Sequence, residues 1–341
     1  MSEVRLGPEV AAVLDRYPVD CRPTRCVPVI GAGGFSGARL SKLITPRGQL
    51  VLRRWPSAHP SPERLRFIHD VLRHVARLGI DFVPVPLAAT NGETFVEEDG
   101  HLWELAPWLP GEANYIRLPS EKKLIAALST LARLHLALAS YPNGNALPAV
   151  SPGILERQAR LAQLLQGGLT EFSAAVRPEI WPELEQYAQS ILQLFPLAAP
   201  RVAAALADAA SLAVPLQPCL RDIWHEHVLF DGDRVSGIID FGALRIESVA
   251  ADVARLLGSM AGDDAGQWQI GQTAYEALRP LCPEEKTLVR AFDRSGTLLS
   301  GCNWLEWIYV DRIEFPDRPA VIKRVNAIAG RLQRLIPSFK S

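Results

Sequence analysis

Three polar side chains near the middle of the sequence have types and spacings suited to phosphoryl transfer. Asp222 follows the apolar run that ends at Leu220, His227 comes shortly after it, and Asp240 ends the apolar run 235–239. The turn at residues 231–233 predicts a short hairpin, so we expect the three groups at one rim. A carboxylate there can accept a nucleophile's proton, while the other polar groups can hold a metal ion that neutralises phosphate charge. The segment therefore favours phosphoryl-transfer chemistry.

A glycine-rich stretch at residues 31–37 is the second candidate for chemistry. A dinucleotide-binding fold would need a full crossover helix and an acid about 20 residues on. No Asp or Glu occurs between Asp20 and Glu63, and the turn at 46–48 leaves no room for that helix. The same turn argues against a nucleophile elbow at Ser36. Two interpretations stay open, a loop that covers phosphates and an ordinary glycine-rich hairpin.

The elements that must position these groups fall into two parts. Residues 1–106 have a mostly β pattern with one helix at 61–78, where apolar residues recur at helical spacing behind a Ser-Pro-Glu cap. Residues 107–112 are rich in proline and glycine and are predicted to form a hinge connector. Residues 113–341 are helical except for β-like runs between about 215 and 242. The pattern predicts a small β-rich lobe and a larger helical lobe.

Composition excludes several classes of protein. The 341 residues carry 36 Lys and Arg against 37 Asp and Glu, and this balance offers no basic face for nucleic acid. The first residues lack a signal-peptide pattern, and no apolar run of about 18 residues predicts a membrane span. We expect a cytoplasmic protein without nucleic-acid or membrane partners. The five cysteines are scattered and are predicted to be reduced thiols.

The sequence resembles the aminoglycoside phosphotransferase and choline kinase family along nearly its whole length. The run Ile238-Ile239-Asp240-Phe241-Gly242 is similar to the family's metal-binding motif, and it follows Asp222 at the family's distance. Further matches lie in the glycine-rich loop and at residues 51–53, 105–111, 131–135 and 250–254. The resemblance implies an α+β, protein-kinase-like fold with two lobes. It also implies a small-molecule kinase that transfers the γ-phosphoryl group of ATP, or GTP, to a hydroxyl of a metabolite or of an aminoglycoside-like acceptor.

The resemblance also assigns roles to individual residues. Asp222 takes the position of the catalytic base, Asp240 that of the metal-binding acid, and Arg53 that of the cation for the α- and β-phosphates. Arginine suits this last role because it stays charged and grips phosphate with two N–H groups. The implied cofactors are the nucleotide and Mg²⁺ or Mn²⁺, and the implied partner is a small-molecule acceptor. The implied nucleotide loop is Gly33, Gly34, Phe35, Ser36 and Gly37.

Two positions depart from the family pattern. Leu220 replaces the loop histidine, where an apolar side chain is expected to pack, and His227 replaces an asparagine that helps to hold the metal. Imidazole nitrogen suits Mn²⁺ better than Mg²⁺, which prefers oxygen. Three interpretations of His227 are open: a metal ligand, a cation that contacts phosphate, and a structural residue. These departures leave an alternative function, a catalytically silent nucleotide-binding or regulatory protein.

Three supporting roles complete the prediction. By the logic of kinases, the acid that pairs with Arg53 is expected from the helix at 61–78, with Glu63 and Asp70 as the choices. Asp252 is predicted to anchor the catalytic loop or to cap its own helix. The aromatic run 303–309 either boxes a cationic amine or packs between helices, and packing is the favoured interpretation.

Overall fold

The structure is a computed structural model that describes residues 7–29, 37–142, 147–177, 179–315 and 317–336. The chain divides into two compact units. The first contains residues 1–123 and 226–244, and the second contains residues 124–225 and 245–341.

A five-stranded antiparallel sheet forms the centre of the first unit, in the order β1-β2-β3-β5-β4. Its strands are β1 (Arg25–Pro28), β2 (Arg39–Thr45), β3 (Gly48–Arg54), β4 (Val96–Glu98) and β5 (His101–Pro107). The side chains of Leu43, Leu52 and Leu105 are fully buried and pack in one core with Val13 and Leu14 of helix α1 (Pro8–Leu14). This burial fixes which face of β3 and β5 is apolar, because side chains alternate along a strand.

Helix α2 (Pro62–Arg77) confirms the helix predicted at 61–78. The Ser61 side chain accepts a hydrogen bond from the Arg64 backbone N–H at 3.3 Å and caps the first turn. Leu65, Leu72 and Val75 are buried along one face of the helix. His69 lies on the same buried face, so the helix carries one polar group into the apolar layer.

The hairpin of β7 (Val228–Asp231) and β8 (Arg234–Ile238) belongs to the first unit. Glu112 forms an isolated bridge with Phe230, and the Ser236 hydroxyl donates to the Pro110 carbonyl at 2.7 Å. Gly111, between them, has φ +95°, and an added Cβ would lie 2.7 Å from the Phe230 carbonyl oxygen. Only glycine fits there. The connector 107–112 is thus joined to the hairpin, while its role as a hinge stays a prediction.

The second unit is mainly helical. It holds all but the first residues of α3 (Glu121–Leu138), followed by α4 (Pro152–Gln163), α5 (Leu169–Ala175), α6 (Glu185–Ala210), α7 (Ala250–Met260), α8 (Ala265–Glu276), α9 (Pro283–Leu305) and α10 (Arg318–Leu335). Strands β6 (Gln217–Cys219) and β9 (Arg245–Glu247) pair antiparallel. This pair brackets the segment that contains Asp222, so its two ends are held together.

One stretch of the second unit, Pro182–Ala210, is long and apolar enough by length and composition to cross a membrane. Its mean hydropathy is 1.4. These properties are weak evidence for a span, since a core helix shares them. Ile191, Phe195 and Val202 of α6 are fully buried, and α6 packs against α4, α9 and α10. One face of α6 is thus buried within the second unit.

Candidate active site

Asp240 and His227 meet at the open end of the β7–β8 hairpin. The Ile239 backbone N–H donates to the His227 carbonyl at 2.9 Å, which extends the ladder beyond Val228 and Ile238. The Asp240 Oδ2 lies 3.6 Å from the His227 Nε2. Asp240 has φ +64°, a left-handed conformation that is uncommon for a residue with a side chain. Backbone strain of this kind concentrates at functional sites.

Arg53 approaches the other oxygen of the same carboxylate. Its Nη1 donates to Asp240 Oδ1 at 3.3 Å, and its Nε lies 3.5 Å from Glu104 Oε1. The guanidinium also lies over the Trp55 ring at 4.7 Å, in cation–π geometry. The structure therefore brings together three predicted site residues of the first unit, Arg53, Asp240 and His227.

Besides Asp240, the acid that pairs with Arg53 is Glu104, and the expectation of an acid from helix α2 is wrong. Arg53 and Glu104 are directly opposite in the pairing of β3 with β5, which places their side chains on one face. Glu63 and Asp70 are both exposed. Hydrogen bonds from its own backbone N–H and from Ser61 lower the pKa of Glu63, as expected of a first-turn acid.

Helix α2 contributes a histidine to this pair. The His69 Nε2–H donates to Glu104 Oε2 at 2.6 Å, and its Nδ1 accepts from the Thr94 hydroxyl at 2.7 Å. Burial alone would raise the pKa of Glu104, but the hydrogen bond from His69 and the charge of Arg53 outweigh it and lower the pKa. Glu104 is thus held ionised between the Arg53 cation and the His69 hydrogen-bond donor.

Asp222 lies in the second unit and has a half-exposed side chain. Arg255 of α7 donates to Asp222 Oδ1 from Nε at 3.2 Å and from Nη2 at 3.0 Å. The residue before it, Arg221, has φ +66°. The Asp222 carboxylate is exposed enough to meet another molecule.

Asp252 anchors this loop, as predicted. Its side chain is fully buried and accepts hydrogen bonds from the backbone N–H groups of Leu220 at 2.8 Å and Arg221 at 2.6 Å. The His135 Nε2–H donates to it at 3.0 Å, and Tyr275 donates to His135 Nδ1 at 2.7 Å. Burial lowers the pKa of His135 although Asp252 opposes the shift, so the imidazole is neutral. Leu220 is fully buried, which confirms that it packs.

A buried group formed by His135, Cys219 and Asp252 has three atoms that could ligate a metal. Each atom already has a protein partner, since the Cys219 thiol also donates to the Glu247 carbonyl at 3.3 Å. Burial raises the pKa of Cys219 well above its usual value, which opposes the thiolate that a metal requires. The group is therefore structural.

The predicted nucleotide loop is described only in part. Gly33, Gly34, Phe35 and Ser36 lie outside the described residues. Gly37, the last residue of the loop, has φ +74° and lies in a turn two residues before β2 begins at Arg39. The role of the five loop residues stays a prediction.

The aromatic run 303–309 packs between helices, as favoured from the sequence. Trp304 and Ile308 are buried, and the Trp307 ring lies edge-on against Trp304 with the centroids 5.3 Å apart. The one acid of the run, Glu306, forms an ion pair with Arg160. That pair occupies the carboxylate that a cationic amine would have needed.

The donor atoms at the hairpin end fit a divalent cation. The Asp240 and His227 atoms are 3.6 Å apart, and two ligands at about 2.1 Å from one ion can have such a separation. The half-exposed Asp240 carboxylate leaves room for water to complete the coordination. A carboxylate oxygen with one imidazole nitrogen is a donor set suited to Mn²⁺ and acceptable to Mg²⁺.

Comparison with known proteins identifies the family. The model of the phosphotransferase enzyme family matches residues 32–283. A homoserine kinase of Polaromonas naphthalenivorans is 27% identical over 271 residues, which cover 78% of this chain and 77% of that protein.

Solved structures show the same fold. Spectinomycin phosphotransferase in complex with ADP and spectinomycin superposes with a TM-score of 0.67 at 11% identity, covering 96% of this chain and 97% of that one. Amicoumacin kinase in complex with AMP-PNP, Ca²⁺ and Ami superposes with a TM-score of 0.63 at 13% identity, covering 94% of this chain and 92% of that one. These likenesses confirm the predicted two-lobed, kinase-like α+β fold. Because the family model spans most of the sequence, the chain belongs to the phosphotransferase enzyme family, as an enzyme with an alcohol group as acceptor.

Proposed function

We propose that the protein is a small-molecule kinase that transfers the γ-phosphoryl group of ATP, or GTP, to a hydroxyl of a metabolite. The observation that carries the proposal is the Asp240 carboxylate, with His227 on one oxygen and Arg53 on the other. Asp240 thus contacts both the cation proposed to bind phosphate, Arg53, and the second proposed metal ligand, His227. Phosphoryl transfer depends on such groups, since its catalysis is mainly positioning and electrostatic stabilisation.

Arg53 and the backbone N–H groups of residues 33–37 would hold the phosphates. The ion pair with Glu104 supports this role, because Glu104 restricts the guanidinium while Trp55 supports its face. Arginine presents five donors, so contacts with Glu104 and Asp240 leave N–H groups for a phosphate oxygen. A divalent cation held by Asp240 and His227 would neutralise charge on the phosphates.

Asp222 would orient the acceptor hydroxyl and take its proton. Its half-exposed carboxylate can reach a bound molecule, and its backbone is fixed through Asp252 and the strained Arg221. A base held in this way contributes both by orienting the hydroxyl and by taking its proton.

The proposed function is tested first by nucleotide binding and then by transfer. Thermal shift with ATP and GTP, with and without Mg²⁺ or Mn²⁺, should show stabilisation that depends on nucleotide and metal. Formation of ADP or GDP is then measured against a panel of alcohols. Acceptor-dependent turnover supports the proposal, whereas nucleotide binding without turnover across a broad panel contradicts it.

We expect His69→Leu to weaken ADP binding about fivefold and to lower the free energy of unfolding by about 2 kcal/mol. The reason is that Glu104 loses its short hydrogen bond from His69, and Arg53 is then less firmly oriented. Calorimetric titration with ADP and urea unfolding measure the two effects. Thr94→Val removes the outer hydrogen bond alone and should have a smaller effect on both. Lower stability with unchanged ADP affinity would make the histidine merely structural.

We expect His227→Asn to shift the metal preference of turnover towards Mg²⁺ by about tenfold relative to Mn²⁺. The substitution replaces the imidazole nitrogen that lies 3.6 Å from the Asp240 carboxylate with an amide oxygen. Turnover is titrated with each metal for the wild type and the variant. Identical metal profiles would exclude His227 as a ligand.

A further inference from the structure

The surface around Asp222 carries an excess of positive charge. Arg255 donates twice to Asp222 itself. Glu156 forms an ion pair with Arg221. It forms a second ion pair with Arg245, whose Nη1 lies 3.7 Å from the Glu156 Oε1. Three arginines and two acids of the second unit are therefore linked by ion pairs. They lie on the loop that contains Asp222, on strand β9 and on helices α4 and α7.

A fourth arginine joins this cluster through Trp224, which lies two residues after Asp222. The Arg324 guanidinium lies 4.6 Å from the centroid of the Trp224 ring, and that of Arg255 lies 6.0 Å from it. The indole is half-buried, so it presents an apolar surface beside the two cations. We call Arg221, Arg245, Arg255, Arg324 and Trp224 the arginine cluster.

A buried arginine next to the arginine cluster adds to the positive charge near Asp222. Arg157 donates to the Phe292 carbonyl at 3.2 Å and to the Ser295 hydroxyl at 3.1 Å. Burial, together with the charges of Arg255 and Arg221, lowers the pKa of Arg157 to about 10, although Glu247 and Glu156 oppose the shift. The region next to Asp222 is thus dense in positive charge.

We propose that the acceptor is a short hydroxy acid whose carboxylate binds to Arg255. The inference rests on the proposed function, because it takes Asp222 as the group that orients the acceptor hydroxyl. In the reaction, the hydroxyl oxygen forms a bond to the γ-phosphorus, and the bond from that phosphorus to the β–γ bridging oxygen breaks. Its electron pair leaves on the nucleoside diphosphate, and the hydroxyl proton goes to Asp222.

Arg255 is suited to this task because it contacts the proposed base directly. It binds Asp222 through Nε and Nη2, and the N–H groups of Nη1 can bind a second carboxylate. One guanidinium would then fix the acid end of the acceptor and the base that receives the proton. The side chain of Arg255 is about one-third exposed, so a small molecule can reach it.

The same cluster disfavours a polycationic acceptor. Like charges close to one another cost free energy, and this cost is a means of rejecting the wrong partner. An aminoglycoside would bring several ammonium groups to a surface with four arginines. The acid of the aromatic run, Glu306, is already paired with Arg160. A hydroxy acid instead completes the charge balance.

The test uses two pairs of acceptors that differ in the carboxylate. They are 4-hydroxybutanoate with 1,4-butanediol, and L-homoserine with 3-amino-1-propanol, and kcat/KM is measured for the full chain. We expect each acid to exceed its partner by about 30-fold, within the range of a charge-assisted hydrogen bond. Arg255→Gln should reduce the preference to about threefold or less and leave KM for the nucleotide unchanged. Arg255→Lys should retain part of the preference.

A binding experiment keeps the inference independent of turnover. Calorimetric titration of 4-hydroxybutanoate should show at least about tenfold weaker binding to Arg255→Gln than to the wild type. The matched control is Arg290→Gln, which removes an exposed charge of α9 outside the cluster. It should change neither the preference nor the binding.

Three results would overturn the inference: preference for the neutral or cationic alcohol, an equal loss for all four acceptors in Arg255→Gln, or no binding of 4-hydroxybutanoate. Transfer to 1,4-butanediol without any preference for the acid would uphold the proposed function and reject this inference. Carboxylate binding that depends on Arg255, together with no transfer to any alcohol, would support the anion site and reject the proposed function.

Discussion

Asp222→Ala is expected to reduce kcat by about 10³-fold while the affinity for ADP stays within about twofold of the wild type. The alanine cannot accept the hydroxyl proton or orient the acceptor. The side chain is half-exposed and pairs with Arg255, so its loss should cost little stability. Single-turnover kinetics and calorimetric titration with ADP measure the two quantities. A loss of kcat with unchanged ADP affinity distinguishes a chemical role of Asp222 from a structural one.

Two variants make this expectation specific. Asp222→Asn keeps the size of the side chain but removes the proton acceptor, and its kcat should match that of the alanine variant. Asp208→Ala removes an exposed acid of α6 and should leave kcat unchanged. Full activity of Asp222→Ala would exclude the residue as the base. A parallel loss of ADP affinity would indicate a disturbed loop instead.

The local structure was predictable where a residue's neighbours in sequence are also its neighbours in space. Helix α2 follows the predicted apolar spacing to within a few residues, because burial of one face determines a helix. The Pro46-Arg47-Gly48 turn likewise predicts the β2–β3 hairpin, with Thr45 opposite Gly48. Such features depend on short segments alone.

The pairing of Arg53 with Glu104 was not predictable in the same way. It depends on the register between β3 and β5, and α2 lies between these strands in the sequence. A shift of one residue would turn Glu104 to the other face of the sheet. The analogy with kinases suggested an acid on the helix, whereas α2 supplies His69 and the strand supplies the acid. The polar His69 on the buried face of α2 was the available signal.

The position of His227 shows a similar limit. An irregularity between Leu229 and Phe230 shifts the register of the β7–β8 hairpin by one residue. Counting outward from the Asp231 and Arg234 pair without that shift would place His227 opposite Ile238 rather than Ile239. The shift therefore brings the ring one residue closer to Asp240. Sequence alone left three interpretations of His227; the 3.6 Å distance to Asp240 is compatible with a metal ligand, and that role stays a prediction.

Asp252 was predictable as an anchor because its helix follows the metal-binding motif, and its surroundings predict a large effect of substitution. We expect Asp252→Ala to lower the free energy of unfolding by about 4 kcal/mol, and Asp252→Asn by about 2 kcal/mol. The alanine leaves the amides of Leu220 and Arg221 and the His135 ring without their buried acceptor. The asparagine keeps one oxygen for which these donors compete.

The effect of substitution on kcat distinguishes Asp252 from a buried acid that contributes to stability alone. With the backbone of Leu220 and Arg221 released, Asp222 loses its fixed orientation, so kcat should fall by about 100-fold at temperatures where the variant is folded. Glu285→Gln is the matched control, because Glu285 is a buried acid of the same unit paired with Arg279 at 2.8 Å. It should lower stability while kcat stays near the wild-type value.

A double-mutant cycle then tests whether Asp252 works through the loop or through His135. If the loop amides carry the catalytic effect, His135→Leu should lower stability but keep most of the activity, and combining it with Asp252→Asn should be less than additive in stability. Urea unfolding followed by fluorescence gives the free energies, and kcat is measured on the same samples. Normal activity in a folded Asp252→Ala protein would contradict the anchor, because the strained Arg221 backbone would then hold Asp222 without it.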